Sequence, residues 1–286
     1  GPAPQSGSAH GRGVRRGEGE TPGNLAPAVS PGRVAQVEAY TRLAGVYDEI
    51  VVDPCHGAWS SFLHELWSDD EHGVHNVLDV CCGTGLLAGE LAALGYQVVG
   101  LDGSEAMLAR ARRRLPPEVR LVRSTLPALA VEGVYDAAVC TFDGLNYLTP
   151  ADLRSTFAAL SLRLRPAGWL VFDVHTDAMM AFTASQPVVH GEQAEHRFEI
   201  SSVVDTRART CDTRVEVVPL NGGGAFSEQH RQYFHRAADM RSSLVDAGFE
   251  VTAVRDGYSE RPVDASALSA TWIARRASPG ASRVRA

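Results

Sequence analysis

The sequence predicts an α/β fold in which a mostly parallel sheet is covered by helices on both faces. Through the first part of the chain, short continuous apolar runs alternate with amphipathic helical patterns. Runs of that kind are typical of strands buried on both faces, which are parallel strands joined by helical crossovers. After residue 180 the rhythm changes to extended segments, which indicates an antiparallel insertion after the fifth strand.

The first helices are predicted from their start and stop signals. A helix at 86–94 ends at Gly95, a residue suited to a left-handed C-cap. A second helix begins after Ser104, a good N-cap, and ends before Pro116. A third occupies 150–164 and is stopped by a proline and a glycine. The five strands that these helices connect are predicted at 77–80, 98–101, 119–122, 136–140 and 169–174.

The rest of the chain adds the insertion, a helix and two more strands. We place the insertion at 181–234, covering the ligand edge of the sheet, with a turn at the NGGG run 221–224. A helix at 237–247 follows. The extended segments of the insertion are 197–205, 213–219 and 226–234. The last strands, a hairpin-like pair that completes a seven-stranded sheet, are 249–254 and 267–274.

We predict one folded domain, residues 34–276, between two disordered tails. Residues 1–33 are rich in Gly, Pro, Ser and Ala, and they lack the apolar surface that would offset the entropy of ordering. Residues 277–286 have a similar composition. A basic interaction arm is the alternative for the first tail.

Charge and cysteine content restrict the partners. The chain carries −7 and each tail contributes +2, so the part between them carries −11. An acidic domain repels phosphate backbones, which argues against a nucleic-acid partner. No apolar run approaches the length of a membrane span, and no signal-peptide pattern is visible. The five cysteines have neither paired nor zinc-site spacing, which favours a cytoplasmic protein without a metal.

The main functional signal is the stretch HNVLDVCCGTGLLAGEL, residues 75–91. Asp79 ends a buried strand, and Gly83 and Gly85 then allow a tight turn before a helix. In a parallel sheet, this places the acid and the free N–H groups of the helix at the ligand edge. The second strand delivers Asp102, 23 residues after Asp79, a spacing typical of an acid that binds ribose hydroxyls.

The position of Asp79 distinguishes between cofactors. A glycine loop alone also suits a dinucleotide, but a carboxylate in front of it repels a pyrophosphate and attracts an ammonium or sulfonium. The third position of the glycine motif is Ala88. A nucleoside with a cationic amino-acid tail therefore fits better than NAD, and an NAD-dependent Rossmann oxidoreductase is the less favoured alternative.

The motifs LDVCCGTG and GLDGSEAMLARAR resemble the first two motifs of class I S-adenosylmethionine-dependent methyltransferases. The similarity extends over nearly all of 34–276, through AYTRLAGVYDEIV, YDAAVCTFDGLNYL, LRPAGWLVFDVHT and LVDAGFEV. It implies a Rossmann-like class I methyltransferase fold with S-adenosylmethionine as cofactor. Within that superfamily, the chain is most similar to small-molecule methyltransferases of natural-product biosynthesis, including the sugar N,N-dimethyltransferase type.

The resemblance also implies a cofactor pocket. Asp79 and the loop 83–85 match the pocket for the methionine part, and Asp102 matches the acid that grips the ribose. Gly103 and Met107 would line the adenine. The whole implied set is Tyr40, Asp79, Cys81, Gly83, Gly85, Asp102, Gly103, Met107, Ser124, Thr125, Leu126, Cys140 and Phe142.

The loop after the third strand departs from the family pattern. The family commonly has GD(M) there, with an aspartate that bonds the adenine amino group, whereas this chain has Arg123-Ser124-Thr125-Leu126. A hydroxyl of Ser124 or Thr125 would replace that contact. The loop 140–142, after the fourth strand, matches the segment beneath the cofactor.

Candidate catalytic residues are Tyr47, His175 and His230. By the resemblance, the segment with Tyr40 and Tyr47 closes over the reacting methyl, although both rings also suit packing. His175 follows the fifth strand, and an imidazole with a pKa near 6.5 accepts protons at cytoplasmic pH. Glu228 and His230 are two residues apart in an extended segment and therefore share a face, where Glu228 would orient the imidazole.

The predicted reaction is in-line methyl transfer to a small-molecule acceptor, an amine or hydroxyl, in specialised metabolism. Transfer to nitrogen needs only the loss of an ammonium proton, whereas oxygen or carbon would require a histidine base. A protein or RNA methyltransferase and a non-catalytic cofactor sensor are alternatives, and the insertion is a candidate homodimer surface. The predicted acceptor-binding residues are Trp59, for which core packing is the alternative, Asp143, Asn146, Tyr147 and Glu228.

Overall fold

The computed structural model describes residues 35–37, 39–51 and 55–278. The predicted tail 1–33 and most of the predicted tail 277–286 lie outside these residues. No helix among them combines the length and apolarity needed to cross a membrane. The helices are α1 (Tyr47–Ile50), α2 (His56–Ser68), α3 (Leu86–Ala93), α4 (Glu105–Arg114), α5 (Pro150–Arg163), α6 (Asp177–Ser185) and α7 (Ala237–Asp246), with 3-10 helices at Leu43–Gly45 and Gly144–Tyr147. The strands are β1 (Ala35–Val37), β2 (Asn76–Val80), β3 (Gln97–Asp102), β4 (Arg120–Arg123), β5 (Tyr135–Cys140), β6 (Leu164–His175), β7 (Val188–Gln193), β8 (His196–Asp205), β9 (Thr210–Pro219), β10 (Phe226–Tyr233), β11 (Phe249–Asp256) and β12 (Ser269–Arg276).

A seven-stranded sheet in the order β11-β12-β6-β5-β2-β3-β4 forms the centre of the fold. Strands β2 to β6 are mutually parallel, and β12 is antiparallel to both of its neighbours, β6 and β11. The predicted seven-stranded, mostly parallel sheet with a final hairpin-like pair is thereby confirmed. The strand order reverses between β2 and β5, and sheets of this type bind ligands beyond the carboxyl ends of the strands at that point.

The central strands are buried on both faces. Neighbouring residues of β2 point to opposite sides of the sheet, so Leu78 packs with Phe157 and Phe172 while Val77 packs with Leu63 and Trp67. All six side chains are at most 3% exposed. The sheet is therefore a rigid support for the residues at its ligand edge.

A second sheet, in the order β1-β10-β9-β8-β7, contains the insertion. Its strands β7 to β10 are antiparallel, and β1 pairs parallel to β10. Two details of the predicted insertion are wrong: α6 continues to Ser185, past the expected start at 181, and β7 is an additional strand. The sequence of β7 gives a weak strand signal because it contains Gly191, yet a Cβ at that position would overlap the ring of Phe198.

The fifth predicted strand begins earlier than expected. α5 ends at Arg163, but β6 starts at Leu164 and includes Pro166 and Gly168, which we interpreted as helix-stopping residues outside the strand. A register irregularity opposite Tyr135 accommodates these residues at the entry of the strand.

Candidate active site

The ligand edge of the central sheet opens into a cavity of about 580 Å³. This volume is within the range of small-molecule sites. The N-terminal segment covers the cavity, and Tyr47 and Tyr147 line it. The predicted cofactor residues that line it are Tyr40, Cys81, Gly83, Asp102, Gly103, Met107, Ser124, Thr125, Leu126 and Phe142.

The glycine loop turns sharply between β2 and α3. Gly83 and Gly85 have φ angles of +54° and +81°, in the left-handed region that favours glycine. A Cβ on Gly85 would lie 2.7 Å from a methyl carbon of Leu115, so this glycine shapes the turn and does not line the cavity. At Gly83 a Cβ would meet open space. The loop therefore presents bare backbone to a ligand.

Asp102 joins the glycine loop to the next turn. Its Oδ2 accepts the N–H of Gly83 at 2.9 Å, and its Oδ1 accepts the N–H of Ser104 at 2.7 Å. Burial raises the pKa of this carboxyl. Each carboxylate oxygen has a second acceptor position beyond its backbone bond. Asp102 therefore has the acceptor capacity to bind two neighbouring hydroxyl groups.

Asp79 lies in β2, adjacent to the cavity rather than in its lining, and is 1% exposed. Burial, together with the charge of Asp102, raises its pKa to about 8, although the N–H of Ala88 opposes the shift. Its Oδ2 has no hydrogen-bond partner among the described residues. A buried carboxylate with an unpaired oxygen is destabilised until a cation or donor approaches it. Asp79 therefore fits a cationic ligand at the glycine loop.

The pH dependence of stability tests this state of Asp79. The unfolded chain releases the proton near pH 3.9, whereas the folded chain keeps it to about pH 8, so stability falls as the pH rises through that window. Each pH unit costs about 1.4 kcal/mol for one fully shifted group. Between pH 5 and pH 8, we expect the free energy of unfolding of D79N to fall by about 2–4 kcal/mol less than that of the wild type. Urea denaturation of the cofactor-free protein measures this difference. If the stability of D79N depended on pH as that of the wild type does, the raised pKa of Asp79 would be contradicted. D246N, which changes an exposed acid, is the control and should behave as the wild type does.

Tyrosines form the part of the cavity wall nearest to the insertion. The hydroxyls of Tyr40 and Tyr147 lie 2.7 Å apart, and that of Tyr147 lies 2.9 Å from Nδ1 of His230. Tyr47 packs against Tyr40 with ring centroids 5.9 Å apart. Burial raises the pKa of Tyr40 far above its usual value and lowers that of His230 to about 4. The phenol and the imidazole are therefore neutral at pH 7, and His230 supports Tyr147 from behind without lining the cavity.

Strained backbone surrounds the cavity. Tyr40, Cys81, Phe142 and Asp143 all have φ between +53° and +61°, which is uncommon for residues other than glycine. The carboxylate of Asp173 holds two of them by accepting the N–H groups of Phe142 and Asp143 at 2.7 and 2.9 Å. Strain of this kind concentrates at functional sites, where the surrounding structure compensates for it.

Asp143 and Asp173, which we call the acidic wall, lie behind Phe142. These two acids and the predicted base His175 are outside the lining of the cavity. The Asp143 carboxylate accepts a hydrogen bond from Gln232 and lies 3.8 Å from Nε2 of His175. Burial raises the pKa of Asp143 to about 7 and that of Asp173 to about 6, and it lowers the pKa of His175. Within the described ranges, neither carboxylate forms an ion pair with an arginine. The described residues also contain no group of three or more His, Cys, Asp or Glu suited to a metal ion.

The structure corrects two predicted acceptor-binding residues. The Asn146 side chain donates to the carbonyl of Tyr233 at 2.7 Å and accepts the N–H of His175 at 3.1 Å. Glu228 is fully buried and accepts backbone N–H groups from residues 40–43. Both side chains are occupied by contacts within the protein. The carboxylate of Glu228 also lies beyond hydrogen-bond distance from the imidazole that it was expected to orient, since the two groups are 3.7 Å apart.

Two other predicted residues lie outside the cavity lining. Trp59 belongs to an aromatic cluster, with ring centroids 4.8 Å from Tyr258 and 5.8 Å from Phe142, so it supports the wall through Phe142. Cys140 is fully buried. Neither residue faces the cavity directly.

Sequence reasoning missed several lining residues. Asp152 is an example: it lies in the first turn of α5, where its N–H bonds to the Thr149 hydroxyl. The sequence TPAD is a typical helix start, so the helix signal alone accounts for Asp152. Nothing in that signal indicates that Asp152 lines the cavity. The unassigned lining residues are Ala39, Thr41, Ser104, Glu105, Ala106, Arg123, Thr141, Gly144, Leu148 and Asp152.

Known proteins resemble this chain in sequence and in fold. A model of the methyltransferase domain matches residues 77–168. The putative methyltransferase YqeM of Bacillus subtilis is 29% identical over 227 residues, which cover 77% of this chain and 90% of that protein. The dTDP-3-amino-3,4,6-trideoxy-alpha-D-glucopyranose N,N-dimethyltransferase of Streptomyces venezuelae is 26% identical over 190 residues, 65% of this chain and 80% of that protein. A solved S-adenosylmethionine-dependent methyltransferase from Clostridium acetobutylicum has the same fold, with a TM-score of 0.74 and 21% identity. The structural alignment covers 84% of this chain and 100% of the Clostridium protein.

The fold and the site define a class I methyltransferase that depends on S-adenosylmethionine. The chain contains a methyltransferase domain, which the family model matches in the segment with the glycine loop and Asp102. The residues present fit the cofactor: Asp102 has acceptor positions for a ribose, and Asp79 is a buried acid with an oxygen that has no partner among the described residues. When bound, S-adenosylmethionine supplies an activated methyl group. The loops at 81–85, 102–107 and 123–126 would hold it.

Proposed function

We propose that this enzyme methylates the nitrogen of a small polar amine, with aminosugars as the leading class, in cytoplasmic specialised metabolism. The observation that carries the proposal is the acidic wall of Asp143 and Asp173, which has no arginine partner among the described residues. Buried carboxylates of this kind favour a ligand that brings a positive charge. An ammonium group meets that requirement, whereas a phosphate does not.

The proton chemistry supports nitrogen as the acceptor atom. An amine reacts in its neutral form, so the bound ammonium must first lose one proton. A carboxyl with a pKa of about 7, that of Asp143, is suited to take this proton near neutral pH. His230, whose pKa lies near 4, is a weaker proton acceptor. An alcohol or carbon acid would need a stronger base than either group.

The similarity to an aminosugar N,N-dimethyltransferase agrees with this acceptor class. The walls of the cavity would keep water away from the reacting groups, since Tyr40, Tyr47 and Phe142 present aromatic surface there. The neutral phenols of Tyr40 and Tyr147 would orient the amine, and the acidic wall would hold its charge.

Matched acceptor pairs test the proposal. We expect radiolabelled methyl groups to enter an aminosugar and not the same sugar with a hydroxyl in place of the amine. Peptides and RNA should remain unlabelled. Label in the hydroxyl compound alone, in peptide or in RNA would contradict the proposal. Absence of label in every acceptor, with S-adenosylhomocysteine still bound, would favour a non-catalytic sensor.

A further inference from the structure

Glu228 forms an unusual contact with the N-terminal segment. Its Oε2 accepts the N–H of Tyr40 at 2.6 Å, and its Oε1 accepts those of Thr41, Arg42 and Leu43 at 3.1, 2.6 and 2.8 Å. Tyr40 is left-handed, with φ +58°, and Arg42 is right-handed, with φ −88°. Successive N–H groups in alternating conformations form a concave anion-binding nest. Here the anion comes from the protein's own β10 strand.

The nest belongs to residues 39–48, which we call the roof segment. Its two tyrosines line the cavity. Besides Glu228, several other contacts hold the roof segment. The Ser104 hydroxyl donates to the Tyr40 carbonyl at 2.7 Å, and Arg42 donates to the Gly224 carbonyl at 3.2 Å. Asp48 accepts from the Thr84 hydroxyl at 2.7 Å and forms an ion pair with Arg114. Of the charged side chains in these contacts of the described structure, Glu228 alone is fully buried, whereas Asp48 and Arg114 are partly exposed. Hydrogen bonds to a buried charge are stronger than neutral ones.

Other residues on the same face of β10 support the neighbouring parts of the site. Side chains two apart along a strand share a face. His230 bonds to Tyr147, and Gln232 bonds to Asp143. Glu228, His230 and Gln232 therefore contact the roof segment, the tyrosine wall and the acidic wall in turn. The register of β10 therefore fixes the roof segment, the tyrosine wall and the acidic wall relative to one another.

We infer that Glu228 is the positioning residue that holds the roof segment over the cofactor cavity. It acts through Tyr40, because its carboxylate stabilises the left-handed turn that directs the Tyr40 ring to the cavity. Without the carboxylate, four N–H groups, of which that of Leu43 is buried, would lose their shared acceptor, and the roof segment would loosen. The inference concerns the cofactor side of the site, so it does not depend on the amine acceptor proposed above.

The first test compares E228Q with E216Q. Glutamine keeps the shape of the side chain, but its amide has one acceptor oxygen and no charge. Glu216 lies on the adjacent strand β9 and is more exposed, so E216Q makes the same charge change away from the roof segment. We expect E228Q to speed hydrogen exchange at 40–43 in the cofactor-free protein by about tenfold or more, with little change in the central sheet. We also expect at least about a tenfold loss of affinity for S-adenosylhomocysteine by calorimetry, with partial recovery in E228D.

A second pair removes one donor and leaves Glu228 intact. R42P deletes a single N–H of the nest, and R42A loses the same side chain but keeps that N–H. The φ angle of Arg42, −88°, is close to the range of proline. We expect R42P, but not R42A, to reproduce the local exchange and the affinity loss.

Three results would overturn the inference. One is unchanged exchange at 40–43 in E228Q. Another is faster exchange at 40–43 in E228Q without loss of cofactor affinity, because the Glu228 contact would then have no effect on cofactor binding. The third concerns the case in which E228Q unfolds generally and raises exchange throughout the chain. The Arg42 pair then decides, and the inference fails if R42P shows the same exchange and cofactor affinity as R42A. All these readouts use S-adenosylhomocysteine alone, so a wrong acceptor class cannot cause them.

Discussion

Replacing Asp102 with alanine is expected to weaken the binding of S-adenosylhomocysteine by about a hundredfold or more, because two kinds of contact are lost together. The carboxylate would no longer accept the ribose hydroxyls. It would also release the N–H groups of Gly83 and Ser104, which it fixes at 2.9 and 2.7 Å. Calorimetry with the purified, folded variant measures the change.

Two variants separate these contributions. D102N retains an oxygen for one backbone N–H but loses the charge and one acceptor, so we expect an intermediate affinity. D246A removes an exposed acid at the end of α7 and should bind as the wild type does. An affinity of D102A within twofold to threefold of the wild type would remove Asp102 from the ribose site.

Replacing Asp143 with asparagine is expected to slow amine methylation by about a hundredfold, with little change in cofactor affinity. The side chain keeps its shape, and its amide oxygen still accepts from Gln232, but it neither attracts an ammonium nor takes its proton. In the wild type, kcat/KM should rise as the pH increases through about 7, because Asp143 must be ionised to accept the proton. That step in the pH profile should be absent from D143N.

The comparison with D246N shows whether the effect is specific to the acidic wall. Its rate and pH profile should match those of the wild type. If D143N transferred methyl groups to an amine at the wild-type rate with the same pH profile, Asp143 would have no part in binding or deprotonating the acceptor.

The central sheet and its ligand edge were predictable because their signals are local. Apolar runs define the strands, and Gly83 and Gly85 mark the turn that follows β2. Ser104 caps α4 as expected, since its hydroxyl accepts the N–H of Met107. Signals of this kind need no knowledge of distant contacts.

The contact between Glu228 and the roof segment was not predictable from sequence. Tyr40 and Glu228 are 188 residues apart in the chain, and their contact depends on the register of β10 against the rest of the second sheet. Alternation does place Glu228 and His230 on one face, but it does not show what that face meets. The carboxylate bonds to the roof segment, and the imidazole supports Tyr147.

Sequence also does not distinguish the states of similar acids. Asp79 and Asp102 both lie at or next to the end of a buried strand, yet Asp102 accepts two backbone N–H groups, whereas one oxygen of Asp79 has no partner among the described residues. Asp143 follows β5 and has no arginine partner in the part of the chain that the structure describes. These differences arise from packing between distant segments, and they determine which acid is suited to a hydroxyl, a cation or a proton.

The most direct measurement is a crystal structure of the protein soaked with S-adenosylhomocysteine. We expect the ligand to fill the cavity between the roof segment and the glycine loop, with both ribose hydroxyls on Asp102 and the ammonium end on the side of Asp79. An empty cavity under saturating ligand, or a dinucleotide bound there with its diphosphate on the glycine loop, would contradict the assignment of the site.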